Sequence, residues 1–404
     1  MGMILSRMTK VVTDKNKINE FLNSRYIEAV FPSKERVAEM MGRGKQLVFY
    51  WGIDPTGPDV HLGHTTNVFV MKRLAELGHK IIMLIGDFTA TIGDPTDKEA
   101  MRKPLTEKEV KENMKTYIDQ ISKILPKNLF EVKYNSKWYN KLIYKDWLKV
   151  AMKFTQQQMI ARDMFQERLK KDKPIGMHEF DYPMMQGYDS VVMNVDGEVG
   201  GNDQTFNMMI GRDLVKDFLG KEKIVIATRL LEDLATGSKI MNKSEEQYVA
   251  INQRPEDMFG KVMAMSDSAI SPVLSYATEV TNERVAEVKS RLEGGENPMI
   301  SKKELAYELV RMYHNEKEAQ KARDNFERVF SEGQLPEEIQ EVENKGTILQ
   351  TTVVAGIASS LTEAKRLIDQ GAIKINGETV TRWDQEVKRG DIIKGGPHKF
   401  RRVK

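Results

Sequence analysis

Two histidines three residues apart, His61 and His64, end a Gly/Pro-rich stretch that runs from Tyr50. At the start of a helix they face one side of the first turn, where backbone N–H groups and the positive end of the helix dipole favour an anion. Gly63 between them lets a flat or bulky group approach the backbone. No Walker-type glycine–lysine motif accompanies them, so a nucleotide would be bound in some other way. The other histidines (His79, His178, His314 and His398) are scattered and there is no cysteine, so no metal site is expected from the pair. A second group with chemistry is the lysine-bearing loop Ser238-Lys239-Ile240-Met241-Asn242-Lys243-Ser244. A third is Tyr182, Gln186 and Asp189, whose spacing puts a phenol, an amide and a carboxylate on one helix stripe. That stripe lies among Pro183, Met184, Met185, Val191 and Val192, and a polar row in an apolar helix points to a pocket for a polar ligand. The turn Gly93-Asp94-Pro95, with Lys98 and Arg102 after it, and the segment Gly200-Gly201-Asn202-Asp203-Gln204 add further hydrogen-bonding groups.

These residues need elements to hold them. Gln46–Ile53 reads as a strand, and Leu62–Leu77, which stops at Gly78, as an amphipathic helix. Lys80–Asp87 is a strand with a nearly continuous apolar core, Thr106–Leu125 a helix, and Glu131–Tyr134 and Ile224–Ala227 further strands. Continuous apolar strands separated by helices argue for an α/β chain with a parallel sheet covered on both faces. Asp94 then closes a strand at the end of the sheet where open α/β folds bind ligands. Residues 1–44 read as a charged helical lead-in, and helical patterns between 135 and 195 as an insertion. After 255 the pattern is helical to about 331, with Ser301-Lys302-Lys303-Glu304 resembling a capping box. Residues 333–345, acidic and polar with Pro336, read as a linker before a small module at 346–404.

At 404 residues there is room for two or three domains, and 40% apolar with 30% charged residues is ordinary globular composition. The lack of cysteine suits a reducing cytoplasm and excludes a disulfide framework. No apolar stretch reaches membrane-spanning length, and no signal-peptide core is expected at the N-terminus. The net charge of +3 divides unevenly: from Gly346 onward eleven Lys/Arg face six Asp/Glu. A basic tail on a near-neutral body is the footprint of nucleic-acid contact. Within that tail, Ser360–Ile368 reads as a basic helix, followed by a strand and an Asn376-Gly377 hairpin turn.

His61-x-Gly63-His64 resembles the first signature of the class I aminoacyl-tRNA synthetases, and the 238–244 loop resembles their second, Lys-Met-Ser-Lys-Ser. Lys243 and Ser244 match its second Lys-Ser. Ile240 stands where the first lysine is usual, Asn242 replaces serine, and Lys239 is displaced by one position. With the Asp94 turn, the Tyr182/Gln186/Asp189 stripe and the Gly200–Gln204 segment, the order of blocks resembles the tyrosyl-tRNA synthetases. The resemblance covers about residues 45 to 265 and resumes at the C-terminal end, which is similar to an RNA-binding module shared with a small-subunit ribosomal protein.

The resemblance implies a Rossmann-like parallel-sheet catalytic domain over 45–245 and an α-helical domain of anticodon-binding type over 246–332. The linker 333–345 and an α+β RNA-binding module over 346–404 complete it. It implies that Tyr50 and Asp189 read a tyrosine phenol, that Asp94, Tyr182 and Gln186 hold its ammonium, and that Gln204 lies near its carboxylate. Gly52, Asp54, Gly63, Gly201, Asp203, Lys239, Met241 and Ser244 fall on the ATP side. Thr56, His61, His64 and Lys243 would surround the phosphates, and Lys98 and Arg102 the leaving pyrophosphate. Trp51 departs from the smaller residue usual at its position. Lys365, Arg366, Lys374 and Arg389 would meet tRNA. L-Tyrosine, ATP with Mg²⁺ and tRNA(Tyr) are the implied partners, in a cytoplasmic homodimer. A tryptophanyl-type enzyme is opposed by the Tyr50/Asp189 pair and the basic module. A non-catalytic RNA-binding protein on the same fold is opposed by the intact set of site residues, with Ile240 as its opening.

Overall fold

A computed structural model describes residues 10–96, 104–241, 248–331, 339–396 and 399–404. Its backbone contacts fall into two units, residues 1–253 with 265–301, and residues 254–264 with 302–404.

The first unit is built on a six-stranded sheet. Its strands are β1 (Ile27–Phe31), β2 (Val48–Ile53), β3 (Lys80–Ile85), β4 (Phe130–Tyr134), β5 (Gly197–Gly201) and β6 (Ile224–Thr228), in the spatial order β1-β6-β5-β2-β3-β4. All neighbours are parallel except β1, which runs antiparallel to β6. From β2 the chain continues to β3 on one side and later to β5 on the other. That divergence is a topological switch point, and the carboxyl ends of β2 and β5 open the crevice there. The helices used below are α1 (Lys15–Leu22), α2 (Lys34–Gly42), α3 (Leu62–Glu76), α4 (Met177–Met193) and α5 (Thr205–Leu219). The middle of β2, nearly all of β3, and all of β5 and β6 are buried, as expected of strands covered on both faces.

Several elements differ from the sequence expectation. The lead-in at 1–44 is not purely helical. Between α1 and α2 it contributes β1, an edge strand of the same sheet, and Arg25 there donates to the carbonyls of Ser275, Thr278 and Val280. Those bonds help explain why 265–301 belongs with the first unit instead of with one helical domain over 246–332. The helix expected over Thr106–Leu125 is broken into Glu107–Asn113, a 3₁₀ turn and Tyr117–Ile121. Ser301 lies one turn inside the helix Pro298–Tyr313, whose start is closed by Asn297 accepting from Met299 N–H at 3.0 Å. Finally, β5 was not expected: three glycines in five residues carry no strand propensity, and only burial between β2 and β6 makes it a strand.

In the second unit, α6 (Pro255–Met263) packs on α7 (Glu316–Ser331), with the Phe259 and Phe326 rings 5.3 Å apart. The C-terminal module has a five-stranded sheet: β7 (Gln340–Val342), β8 (Ile373–Ile375), β9 (Glu378–Thr379), β10 (Ile392–Gly395) and β11 (Lys399–Val403), ordered β7-β11-β10-β8-β9. It also holds α8 (Ile348–Val354) and α9 (Leu361–Asp369). The Asn376-Gly377 turn has positive φ at both residues, 51° and 92°, as a tight hairpin between β8 and β9 requires. The end of the expected linker is structured: β7 pairs parallel with β11 and buries Val342 in the module core. The alternation there is too short to be read as a strand in advance.

Candidate functional site

A cavity of about 880 Å³ opens at the carboxyl ends of β2, β3 and β5. On its floor and walls stand Tyr50, Gly52, Asp54, Thr56, His61, Gly63, His64 and Asp94, and from later in the chain Tyr182, Gln186, Asp189, Gly201, Asp203, Gln204, Lys239 and Met241. Residues as far apart in the chain as Tyr50 and Met241 thus share one space. Lys98, Arg102, Lys243 and Ser244 lie outside the described residues. Lys365 and Arg366 on α9, Lys374 on β8 and Arg389 before β10 are exposed on the C-terminal module. There the ammonium of Lys365 lies 4.6 Å from the ring of Trp383, a half-exposed aromatic that the sequence reading did not single out.

The turn after β2 is braced by the broken helix. Gln120 accepts from Val60 N–H at 2.8 Å and donates to Pro58 O at 2.9 Å, and Tyr117 donates to Gly57 O at 2.5 Å. This sets the entry of α3. His61 is the N-cap: its Nδ1 accepts from Gly63 N–H at 3.1 Å, and His64 Nδ1 accepts from His61 N–H at 3.2 Å. Leu62 N–H is bonded to Val249 O and His64 N–H to His61 O. The expectation of bare backbone donors is therefore corrected, because the first-turn N–H groups are satisfied from within the protein. With each Nδ1 acting as acceptor, a neutral ring carries its hydrogen on Nε2. The helix start thus presents two imidazole N–H donors on rings stacked 3.8 Å apart. Gly63 has a matching reason: a Cβ there would stand 3.0 Å from the His61 ring, so the flat group it admits is that imidazole.

At the other end of the cavity, Tyr50 is sealed in with Ile82, Leu84, Met193 and Val195. Its hydroxyl contacts Ser190 Oγ at 3.0 Å and donates to Gln186 O at 3.3 Å. Burial first, and the nearby Glu198 and Asp189 next, hold that phenol well above its ordinary pKa, so it stays neutral. Asp189 accepts from Trp138 Nε1 at 2.8 Å and from Asn135 Nδ2 at 3.3 Å. Burial pushes its carboxyl up from 3.8 to about 8, against the opposing pull of hydrogen bonds from Trp138, Tyr139 and Asn135. Asn135 also donates to Thr89, Thr89 donates to Asp54 at 2.8 Å, and Tyr182 donates to the other oxygen of Asp54 at 2.9 Å. Thr89, Asn135 and Trp138 were not foreseen, since they sit in separate segments with no shared spacing.

Asp94 accepts from Gln204 at 2.8 Å and from the backbone and hydroxyl of Thr96. Lys239 reaches across to Asp203 at 2.5 Å. The loop that carries it is anchored at its base: Ile240 N–H bonds Leu231 O, and Asp233 accepts from Ser268. On the far side, Ile251 N–H bonds Val60 O, so this segment lies against the histidine turn.

Residues 43–331 match the family model described as tRNA synthetases class I (W and Y), and residues 349–393 match the S4 domain. The tyrosine–tRNA ligase of Carboxydothermus hydrogenoformans is 42% identical over 368 residues, covering 88% of this chain and 89% of that protein. The tyrosine–tRNA ligase of Francisella tularensis is 40% identical, with 92% and 94% covered. Among solved structures, a C-terminally truncated mitochondrial tyrosyl-tRNA synthetase from Aspergillus nidulans superposes with a TM-score of 0.63 at 21% identity, covering 78% of this chain and 94% of its own. The tyrosyl-tRNA synthetase of Archaeoglobus fulgidus, solved with L-tyrosine, gives 0.61 at 20%, with 77% and 100% covered. These two structures bear on the fold alone.

The raised carboxyl at Asp189 gives a pH signature. Its native state keeps a proton over the window in which the unfolded chain has lost it, so the native state binds more protons between about pH 4 and about pH 8. Its contribution therefore makes stability fall as pH rises across that window and level off above it. Asp189→Asn, with no proton to lose, flattens this component. Urea midpoints of both proteins from pH 5 to 9 check it, and parallel slopes would refute it.

Proposed function

The chain belongs to the class I tRNA synthetases of the tryptophan and tyrosine type and is a tyrosine–tRNA ligase that uses ATP, and we propose how its pocket divides that work. The observation that carries the substrate reading is the pair of hydroxyl and carboxyl groups at one end of the cavity. Tyr50 and Asp189 there offer donor and acceptor to a phenol, beside Leu84. A phenylalanine ring would leave both groups buried without that partner. Tyrosyl-tRNA synthetase is a standard worked case of this discrimination, roughly 10⁵-fold against phenylalanine.

Asp94, Tyr182 and Gln186 receive the ammonium, and Gln204 lies by the carboxylate. Gly52, Asp54, Gly63, Gly201, Asp203 and Met241 line the adenosine and phosphate side, with ATP entering as its Mg²⁺ complex. A tyrosine carboxylate oxygen attacks the α-phosphorus in line, the bond to the β-phosphate oxygen breaks, and pyrophosphate leaves. The adenylate carbonyl is then attacked by a terminal ribose hydroxyl of tRNA, which loses its proton as AMP departs. No protein nucleophile is required. Thr56 and the Nε2–H donors of His61 and His64 stabilise charge that builds on phosphate oxygens, and Lys98, Arg102, Lys243 and Ser244 serve the same side. Lys365, Arg366, Lys374 and Arg389 meet the tRNA backbone.

A cytoplasmic homodimer completes the reading. On the helix Tyr144–Ala151 and its flanks, Ile143, Tyr144 and Met152 are 60%, 74% and 79% exposed, an apolar surface suited to a second copy. Sedimentation equilibrium is expected to return twice the chain mass, and a monomer at micromolar concentration would overturn this.

Tyrosine is expected to drive ATP–pyrophosphate exchange, with phenylalanine and tryptophan inactive at matched concentration. Equal exchange with phenylalanine contradicts the Tyr50/Asp189 assignment. The same assay decides Lys239. Because its ammonium already reaches into the cavity, we expect it to supply the charge missing at Ile240. Lys239→Ala should then slow exchange by about tenfold or more, with the tyrosine KM unchanged. An unaffected rate would refute that role for Lys239.

A further inference from the structure

Under the amino-acid end of the pocket lies an ion pair that the ligase reading does not use. Lys223, at the foot of β6, and Glu198, on β5, pair with 0% and 2% of their side chains exposed. The lysine also donates to Met208 O at 3.3 Å and lies 5.8 Å from the Tyr50 ring centroid. Space is kept for it: a Cβ on Gly211 of α5 would come within 2.4 Å of its Nζ. Such a pair is expensive to bury and is weak evidence for stability by itself.

Its geometry has a second use. A carboxylate only accepts, so Glu198 Oε1 makes Gln186 turn its NH₂ inward, at 2.9 Å. The Gln186 oxygen then points the other way, where Asn207 Nδ2 donates to it at 3.0 Å. Asn207 donates equally to Gln204 Oε1 at 3.0 Å, and Gln204 Nε2 donates to Asp94 at 2.8 Å. Asn207 Oδ1 is buried with no hydrogen-bond partner among the described residues, so its amide is oriented by the two oxygens it serves. Every amide in this row has one permitted orientation, fixed by an anion at each end. Two amide oxygens and the Asp94 carboxylate are thereby kept as acceptors.

We propose that Lys223 is a positioning residue for recognition of the substrate's amino group. By pairing with Glu198 it holds that carboxylate with its other oxygen toward the Gln186 NH₂, and so fixes the sense of the whole amide row. The proposal rests on the reading of Asp94 and Gln186 as the ammonium site. Besides Lys223, the ionisable groups clustered around Glu198 are Tyr50 and Asp189, and neither is cationic. Without the lysine, Glu198 loses the partner that holds it in place beneath Gln186. The Gln186 amide is then no longer held in one sense, and the ammonium loses a fixed acceptor.

The test compares tyrosine with 3-(4-hydroxyphenyl)propionate, which lacks only the amino group, as substrate and competitive inhibitor of pyrophosphate exchange. In Lys223→Met the tyrosine KM should rise about tenfold or more with kcat changed much less, while the inhibition constant of the propionate stays within about twofold. Glu198→Gln, whose amide can show either end to Gln186, should shift the same ratio in the same direction, and it decides the matter if the methionine variant does not fold. Equal losses for both ligands, or an unchanged ratio in the variant that folds, overturn the proposal. Asp94→Asn separates the two levels. If it collapses the ratio and Lys223→Met does not, the ammonium reading stands and this inference falls. If neither moves the ratio, the ammonium site itself was misassigned.

Discussion

An ammonium and a carboxylate closed off from solvent are tolerated only when each is paired, and in this protein such a pair lies directly beneath the pocket. The pair of Lys223 and Glu198 ties β5 to β6, reaches the ring of Tyr50 on β2, and sets the row of amides that runs through α4 and α5 toward Asp94. The close approach of those two helices is part of the same arrangement, since Gly211 backs onto Gly187 on one side and leaves room for the lysine on the other. Replacing such a pair by apolar groups of equal volume is often neutral for stability. Its retention here makes physical sense as a constraint on orientation more than as a source of folding energy.

A second row of polar side chains runs along the opposite wall. It links Asp189 through Asn135 and Thr89 to Asp54, which also takes the hydroxyl of Tyr182. The Asp189 end of the cavity and the turn after β2 are therefore joined by hydrogen bonds between side chains from α4 and the segments after β2, β3 and β4. Low local dielectric strengthens such bonds and makes any unpaired member costly. The two rows explain why a cavity of this size keeps so many polar groups in defined positions.

Much of this was legible in the chain. The strand, turn and helix around His61 are marked by an apolar run, a Gly/Pro break and amphipathic spacing, and the stripe of Tyr182, Gln186 and Asp189 by helical periodicity alone. The parallel sheet followed from the continuous apolar strands. What escaped were features made by tertiary contact. β5 is a strand because its neighbours are, and its glycine at 197 is demanded by the Phe49 ring, which would lie 2.4 Å from a Cβ. β1 is hidden in a charged segment because an edge strand needs only one apolar face. Lys223 and Glu198 look in sequence like any surface pair, and no periodicity announces that both are interior. The helix entrance was located correctly, but its donors were misassigned, since only coordinates reveal that the imidazoles cap their own backbone.

That capping has a further consequence. Each imidazole offers its Nδ1 to a backbone N–H, so the tautomer of both rings is decided by the folding of the first turn of α3. Turning either ring over would put a carbon where that nitrogen accepts, so the orientation of the two histidines and the integrity of a helix start are a single variable. In that sense these rings behave as part of the main chain, a pair of extra peptide-like N–H groups set beyond the point where the real ones are used up.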